Sequence, residues 1–312
     1  MTDRTAPTPE AAALSDPAVS TLGDARLPKT WRGRAWTNLR SAPPTALFGM
    51  LVIALYAVTA LFAPLLAPYG EAAVFPTPFE AWSAAHPLGT DQIGRDVLSR
   101  LIYGARNTMG IALATTILSF VIGGGLGLWA VIAQGWTDQI LSRAVDVLMA
   151  IPALIFALML LSIFGSSVLS LILIIAVLDS TRVFRLTRAV GLGVVVMDYV
   201  EAARLRGEGL GWIMRREILP NIAPPLVAEF GLRFSFVFLT IAALSFLGLG
   251  IQPPLADWGS MVRDGASMIQ FAPYDLRMGL TPFVPAAAIA LLTVAVNFVV
   301  DWLLHRASGL KE

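Results

Sequence analysis

Six long apolar stretches dominate this sequence and leave little choice of fold. They lie at 46–67, 109–132, 144–164, 168–186, 226–249 and 282–304. Each is close to the roughly 20 residues that an α-helix needs to cross the hydrocarbon core of a bilayer. Backbone groups have no water partners there, so a helix is the form expected for each stretch. The sequence therefore predicts an all-α integral membrane protein with about six transmembrane helices.

The composition agrees with a membrane protein and argues against several other classes. Hydrophobic residues make up 56% of the chain and charged residues 14%, with a net charge of +1. Such a small charge, without basic stretches that carry stacking aromatics, argues against nucleic-acid binding. There are no cysteines, and the two histidines, His86 and His305, lie on opposite sides of most of the hydrophobic sequence. We therefore expect no disulfide, no metal site and no cofactor in this chain.

Charge and hydropathy divide the chain into five parts. We predict a disordered cytoplasmic tail at 1–44, a first transmembrane helix at 45–68, an external loop with an interfacial helix at 69–107, a core with five transmembrane helices at 108–305, and a cytoplasmic tail at 306–312. Basic residues before the first helix and between the fourth and fifth favour the cytoplasmic side for both segments and both termini. Three arginines of the external loop, Arg95, Arg100 and Arg106, run against this rule.

A polar segment at 198–221 interrupts the apolar sequence and predicts two short helices around a turn. Asp198 is expected to cap the first helix, with Glu201 in its first turn. Glycines at 207, 209 and 211 then allow the chain to reverse. The second helix is expected to place its apolar residues on one face and its arginines on the other, and to end near Pro220. The apolar residues are Leu210, Ile213, Met214 and Ile218, and the arginines are Arg215 and Arg216.

This segment resembles the ATPase-coupling loop of binding-protein-dependent ABC importer permeases. The pattern of that loop is Glu-Ala-Ala, three residues, Gly, and then a spacer that ends in Ile-Leu-Pro. The matching positions are Glu201, Ala202, Ala203, Gly207, Ile218, Leu219 and Pro220. Two more segments, at 86–109 and 245–259, resemble the dipeptide, oligopeptide and nickel branch of the same permeases.

The resemblance implies a type I importer permease fold and a set of partners. The partners are a second permease chain, two cytoplasmic ATP-binding subunits, an external solute-binding protein and the lipid bilayer of a bacterial or archaeal inner membrane. In the coupling loop, Glu201 would make a polar contact with the ATPase, Gly207 would form the turn, and Ala202 and Ala203 would allow close approach. Leu205–Arg206 and Glu208–Gly209 depart from the usual pattern around the glycine, which predicts a matched ATPase surface.

Other parts of the sequence bear on the mechanism. The glycines at 122–130 lack the Lys and Ser/Thr of a phosphate-binding loop, so any ATPase must be a separate chain, and they are expected to pack closely against another helix. Glu229 and Arg233 have the spacing of an ion pair on one helix, with either a structural or a gating role. An ATP-independent secondary transporter is the alternative function, and an intramembrane hydrolase is disfavoured because no nucleophile and base are paired within the spans. The transported solute stays open.

Overall fold

The computed structural model describes residues 42–307, so most of the predicted N-terminal tail and the last residues of the C-terminal tail lie outside it. The described part is helical, with only isolated β-bridges beside the helices. The longer helices are α1 (Pro44–Leu61), α3 (Val97–Ala133), α4 (Gly135–Ala150), α5 (Ala153–Phe164), α6 (Val168–Val195), α7 (Asp198–Leu205), α9 (Leu219–Phe246), α10 (Trp258–Gly265) and α12 (Phe283–Ala307). The shorter ones are α2 (Ala63–Leu66), α8 (Leu210–Ile213) and α11 (Leu276–Leu280), with a π-turn at Met214–Ile218 and a 3₁₀-turn at Ala266–Phe271.

In the described range, 42–307, four helical segments are long and apolar enough to cross a membrane, and a bent pair raises the number to five. The four are Pro44–Leu61, Val97–Ala133, Leu210–Phe246 and Leu276–Arg306. The prediction of one straight span at 144–164 is wrong, because α4 and α5 meet there at 89°. Pro152 causes the break, since a proline ring forces the preceding residue out of the helical region, and Ile151 has a ψ of 131°.

Helix α6 is the predicted span that the length and hydropathy criteria do not include. It has 28 residues, and every 18-residue stretch of it holds at least three of its charged residues Asp179, Arg182, Arg185 and Arg188. It packs along α3 more extensively than any other two helices of the described part pack together. Of its charged residues, Asp179 is buried between helices, as expected for an ionisable group at membrane depth.

Glycines of α3 allow this close packing with α6, as the sequence predicted. A Cβ atom on Gly123 would lie 2.3 Å from the carbonyl oxygen of Ser180, and one on Gly127 would lie 2.8 Å from Cβ of Thr187. Gly125 faces open space. Two of the three positions thus bring the backbones together, as small residues do between membrane helices.

The predicted external loop, 69–107, contacts the segment between α9 and α12 at one end of the helices. Trp82 Nε1 donates a hydrogen bond to Thr281 Oγ1 at 3.2 Å, and Asn107 Nδ2 donates to the carbonyl oxygen of Ala256 at 2.9 Å. The interfacial helix predicted around 86–109 is not a separate element, because α3 begins at Val97 and continues without a break to Ala133.

Gly248 ends helix α9. The helix stops at Phe246, and Gly248 adopts a φ of +91°. The amide of Leu249 donates to the carbonyl of Leu244 and that of Gly248 donates to Ser245, both within 3.0 Å. This pair of bonds is a Schellman motif, which satisfies carbonyls that the helix end leaves without partners.

Candidate functional site: the 198–221 loop and a buried charge cluster

Helix α7 opens the loop where the sequence predicted it, but without the predicted cap. The N-cap residue is Met197, with no side-chain hydrogen bond, and Asp198 is the first helical residue. Asp198 and Glu201 still lie in the first turn, where negative charge favours the helix dipole. The predicted capping box is therefore wrong, although the acidic helix start is confirmed.

Gly207 makes the turn, as predicted. Its φ is +83°, and no atom would crowd a Cβ placed on it. Its amide donates to the carbonyl of Arg204 at 2.9 Å, while the amide of Glu208 donates to Ala203 at 3.2 Å. This is a second Schellman motif, and its positive φ favours glycine over any residue with a side chain.

The returning arm runs without a stop into helix α9, so the prediction that Pro220 ends a helix is wrong. Residues Leu210–Ile213 form one helical turn, Met214–Ile218 form a π-turn, and α9 begins at Leu219. Pro220 is the second residue of α9 and directly follows the π-turn, so the helical path continues through it. The loop is thereby joined directly to a membrane-spanning helix.

The residues of the loop motif divide into an exposed and a buried set. Glu201, Ala202, Gly207, Leu219 and Pro220 are exposed, whereas Ala203 and Ile218 are completely buried. The buried pair belongs to an apolar cluster that anchors the loop on the ends of α3 and α6. The other members of this cluster are Leu128, Val131, Val195, Val200, Ile213 and Ile222.

The exposed surface of the loop is both apolar and cationic. Leu205 is 83% exposed, and Tyr199, Leu210 and Trp212 also present large apolar side chains. The surrounding exposed arginines are Arg204, Arg206, Arg215 and Arg216. Exposed aromatic and aliphatic side chains among arginines are typical of a protein interface.

A cluster of charged residues lies inside the helical bundle, halfway along α6 and α9. Arg233 Nη1 lies 3.5 Å from Asp179 Oδ1, and Arg233 Nε lies 2.7 Å from Glu229 Oε1. Ser119 of α3 donates a hydrogen bond to Asp179 Oδ2 at 2.9 Å. The sequence spacing predicted the Glu229–Arg233 pair, but the contact of Arg233 with Asp179 joins helices that are distant in sequence.

Two further ion pairs between α4 and α6 were missed by the sequence analysis. Arg185 Nη2 lies 2.8 Å from Asp146 Oδ1, and both side chains are exposed. Arg188 binds the carboxylate of Asp138 through two nitrogens. No spacing rule covers partners about 40 to 50 positions apart, so only the regular arginine spacing along α6 could have drawn attention to them.

Comparison with known proteins identifies the class. Residues 119–308 match the family described as binding-protein-dependent transport system inner membrane component, which is more than half of the chain. The chain belongs to this family. Residues 30–81 also match the N-terminal TM domain of oligopeptide transport permease C. Family membership confirms the resemblance of the chain to importer permeases, and the 198–221 loop lies within the matched range.

Several relatives are permease proteins of known transport systems. A di/tripeptide transport permease, DppC of Pseudomonas aeruginosa, is 36% identical over 83% of this chain and 86% of its own. The dipeptide permease DppC of Escherichia coli is 39% identical over 83% and 86%, and the glutathione permease GsiD of Pectobacterium atrosepticum is 33% identical over 88% and 89%. Among solved structures, an inward-facing form of the MetNI methionine ABC transporter matches with a TM-score of 0.49 and 18% identity, over 65% of this chain and 96% of that one.

This permease is therefore a multi-pass protein of the inner membrane and the transmembrane subunit of an ATP-driven importer. It is a transport component and not an enzyme. Its family works with an ATPase and with a solute-binding protein.

Proposed function

We propose that this permease pairs with a second, different permease chain, forms half of the pathway for a peptide-type solute, and couples to one of two ATP-binding subunits through the 198–221 loop. Dipeptide, tripeptide and glutathione permeases among its relatives support the solute class. Both termini lie in the cytoplasm in this arrangement, and the chain needs no cofactor of its own.

The construction of the loop is the observation that carries the coupling role. Its buried residues Ala203 and Ile218 fix it to the ends of α3 and α6, while its exposed face is apolar and cationic. Its returning arm continues into α9. A displacement of the exposed face is therefore transmitted to α3, α6 and α9 together, because packed elements move as rigid units.

Co-expression with candidate partner subunits tests this proposal. The complex is purified through a tag on this permease, and its ATP hydrolysis and solute uptake are measured for the original chain and for Gly207→Val. We expect the variant to retain insertion in the membrane while hydrolysis and uptake become uncoupled. A chain that purifies without an ATPase and moves solute without ATP would refute the proposal.

Gly209→Val is the matched control. Gly209 also has open space around it, but its φ is −69°, which any residue can adopt. Equal effects at both glycines would show that the turn geometry is not what matters for coupling.

A further inference from the structure

A cavity of about 210 Å³ lies between α5, α6 and α9, beside the buried charge cluster. Its walls are mostly apolar, but Asp179, Arg182 and Thr240 also line it. The two charged residues differ in exposure: the side chain of Asp179 is 6% exposed and that of Arg182 is 47% exposed. The charge that reaches the open side of the cavity is thus positive.

The carboxylate nearest to Arg182, that of Asp179, is shared with Arg233, which also pairs with Glu229. Asp179 accepts a hydrogen bond from Ser119 at 2.9 Å and lies 3.5 Å from Arg233, while Arg182 is 3.6 Å away. The next two arginines of α6, Arg185 and Arg188, have carboxylates of α4 within ion-pair distance. Arg182 shares its carboxylate with another arginine.

The position of Arg182 along the helix makes this exposure costly in lipid. Arg182 lies within the stretch 168–186 that the sequence predicts to cross the membrane, and Arg233, in contact with the same carboxylate, lies within the stretch 226–249. On insertion scales a charge costs up to roughly 2.5–3.5 kcal/mol inside the hydrocarbon core, so such residues face a protein interior or a water-filled cavity. This face of the bundle is therefore not a lipid-facing surface.

We propose that the cavity lined by Leu178, Arg182 and Thr240 is a water-filled part of the translocation pathway, and that Arg182 binds a carboxylate of the passing solute there. The inference rests on the proposed function and adds a contact site to it. A guanidinium recognises a carboxylate through paired, charge-assisted hydrogen bonds. The apolar walls supplied by α5 and Phe236 would accommodate the remainder of the solute.

Two neighbouring residues of α6 provide a sharp test of the water-filled cavity. Leu178 lines it, while Val177 does not, although Val177 is 43% exposed on another face of the helix. The chain has no cysteine, so Leu178→Cys and Val177→Cys each introduce a single thiol. Charged methanethiosulfonates react with the thiolate, which forms in water and not in lipid. Labelling of this chain in the assembled complex is followed by mass spectrometry.

We expect the Leu178→Cys thiol to react and the Val177→Cys thiol to stay unmodified. We also expect the thiol of Leu178→Cys to react about tenfold faster with the anionic reagent than with the cationic one. Arg182→Gln should remove this rate difference, and Arg182→Lys should retain it. Equal labelling at both positions would refute a water-filled cavity. A charge preference unchanged by Arg182→Gln would refute the role of Arg182.

ATP hydrolysis in the same preparation separates this inference from the proposed function. If partner subunits copurify and hydrolyse ATP while the labelling results fail, only the pathway site is refuted. If no ATPase subunit copurifies with the original chain, the proposed function is refuted, and the proposed pathway site is refuted with it.

Discussion

Asp179 of α6 and Arg233 of α9 form an ion pair halfway along both helices, with 3.5 Å between Oδ1 and Nη1. The two side chains are 6% and 10% exposed. Removing one member of a buried pair leaves an uncompensated charge, which costs about 3–5 kcal/mol, whereas removing both charges is often nearly neutral. The pair therefore ties the position of α9 to that of α6.

We expect Arg233→Gln to lower the thermal unfolding temperature of the purified complex strongly, and Asp179→Asn in the same chain to restore part of the loss. The reason is that the double variant leaves no unpaired carboxylate at position 179. A double-mutant cycle measures this coupling. Strictly additive losses would contradict a direct interaction between the two residues.

Gly207→Ala should cost about 1 kcal/mol of stability, because a residue with a Cβ resists the positive φ found there. Asn tolerates that backbone region better than Ala does, so Gly207→Asn should retain more coupled ATP hydrolysis. Comparing hydrolysis by the two variants checks the ranking. If alanine outperformed asparagine, the left-handed turn would not be the constraint.

Ala202 and Ala203 are adjacent in α7, but substitution by leucine should affect partner binding at one position and stability at the other. Ala202 is exposed, so Ala202→Leu is expected to weaken ATPase copurification while leaving the unfolding temperature unchanged. Ala203 is fully buried in the cluster that anchors the loop, so Ala203→Leu should cost about 1–3 kcal/mol through overpacking. The same response from both would show that α7 does not present Ala202 to a partner.

Gly123→Ala should destabilise the contact between α3 and α6 by about 1–3 kcal/mol, because the new methyl group would overlap the backbone of Ser180. Gly125→Ala is the matched control on the same helix, where a Cβ meets open space. Unfolding of the purified complex in detergent distinguishes them. Equal stability of the two variants would mean that the helices can separate without cost.

Asp257→Asn should change how stability depends on pH. Burial raises the pKa of the Asp257 carboxyl above its ordinary range, against the opposing hydrogen bonds from the Ser260 amide and the Thr108 hydroxyl. With a raised pKa the folded state binds the proton more tightly than the unfolded state, so this group contributes less stability as the pH rises through that pKa.

Asparagine keeps the carbonyl acceptor of the cap on α10 and carries no charge. The unfolding temperature of Asp257→Asn, relative to the original chain, is therefore expected to improve as the pH rises above the ordinary carboxyl pKa of 3.8. A difference that stays constant from acid to neutral pH would exclude Asp257 as a contributor.

The helical class, most of the apolar spans and the helix-and-turn shape of the 198–221 loop followed from the sequence, because each depends on neighbouring residues. Runs of apolar side chains predict membrane helices, and the Glu-Ala-Ala pattern with Gly207 predicts a helix followed by a turn. Local rules were less reliable at element ends. The N-cap of α7 is Met197 instead of Asp198, and Pro220 lies in the first turn of α9 instead of ending a helix.

Only the tertiary structure decided which distant residues meet. The ion pair of Asp179 and Arg233, the burial of Ala203 and the cavity beside Arg182 all depend on how α5, α6 and α9 pack. A sequence encodes the periodicity of one helix, but the rotation and depth of that helix against its neighbours are fixed by side-chain packing across the whole bundle. That packing brings charged residues that are distant in the sequence into contact within the helical bundle.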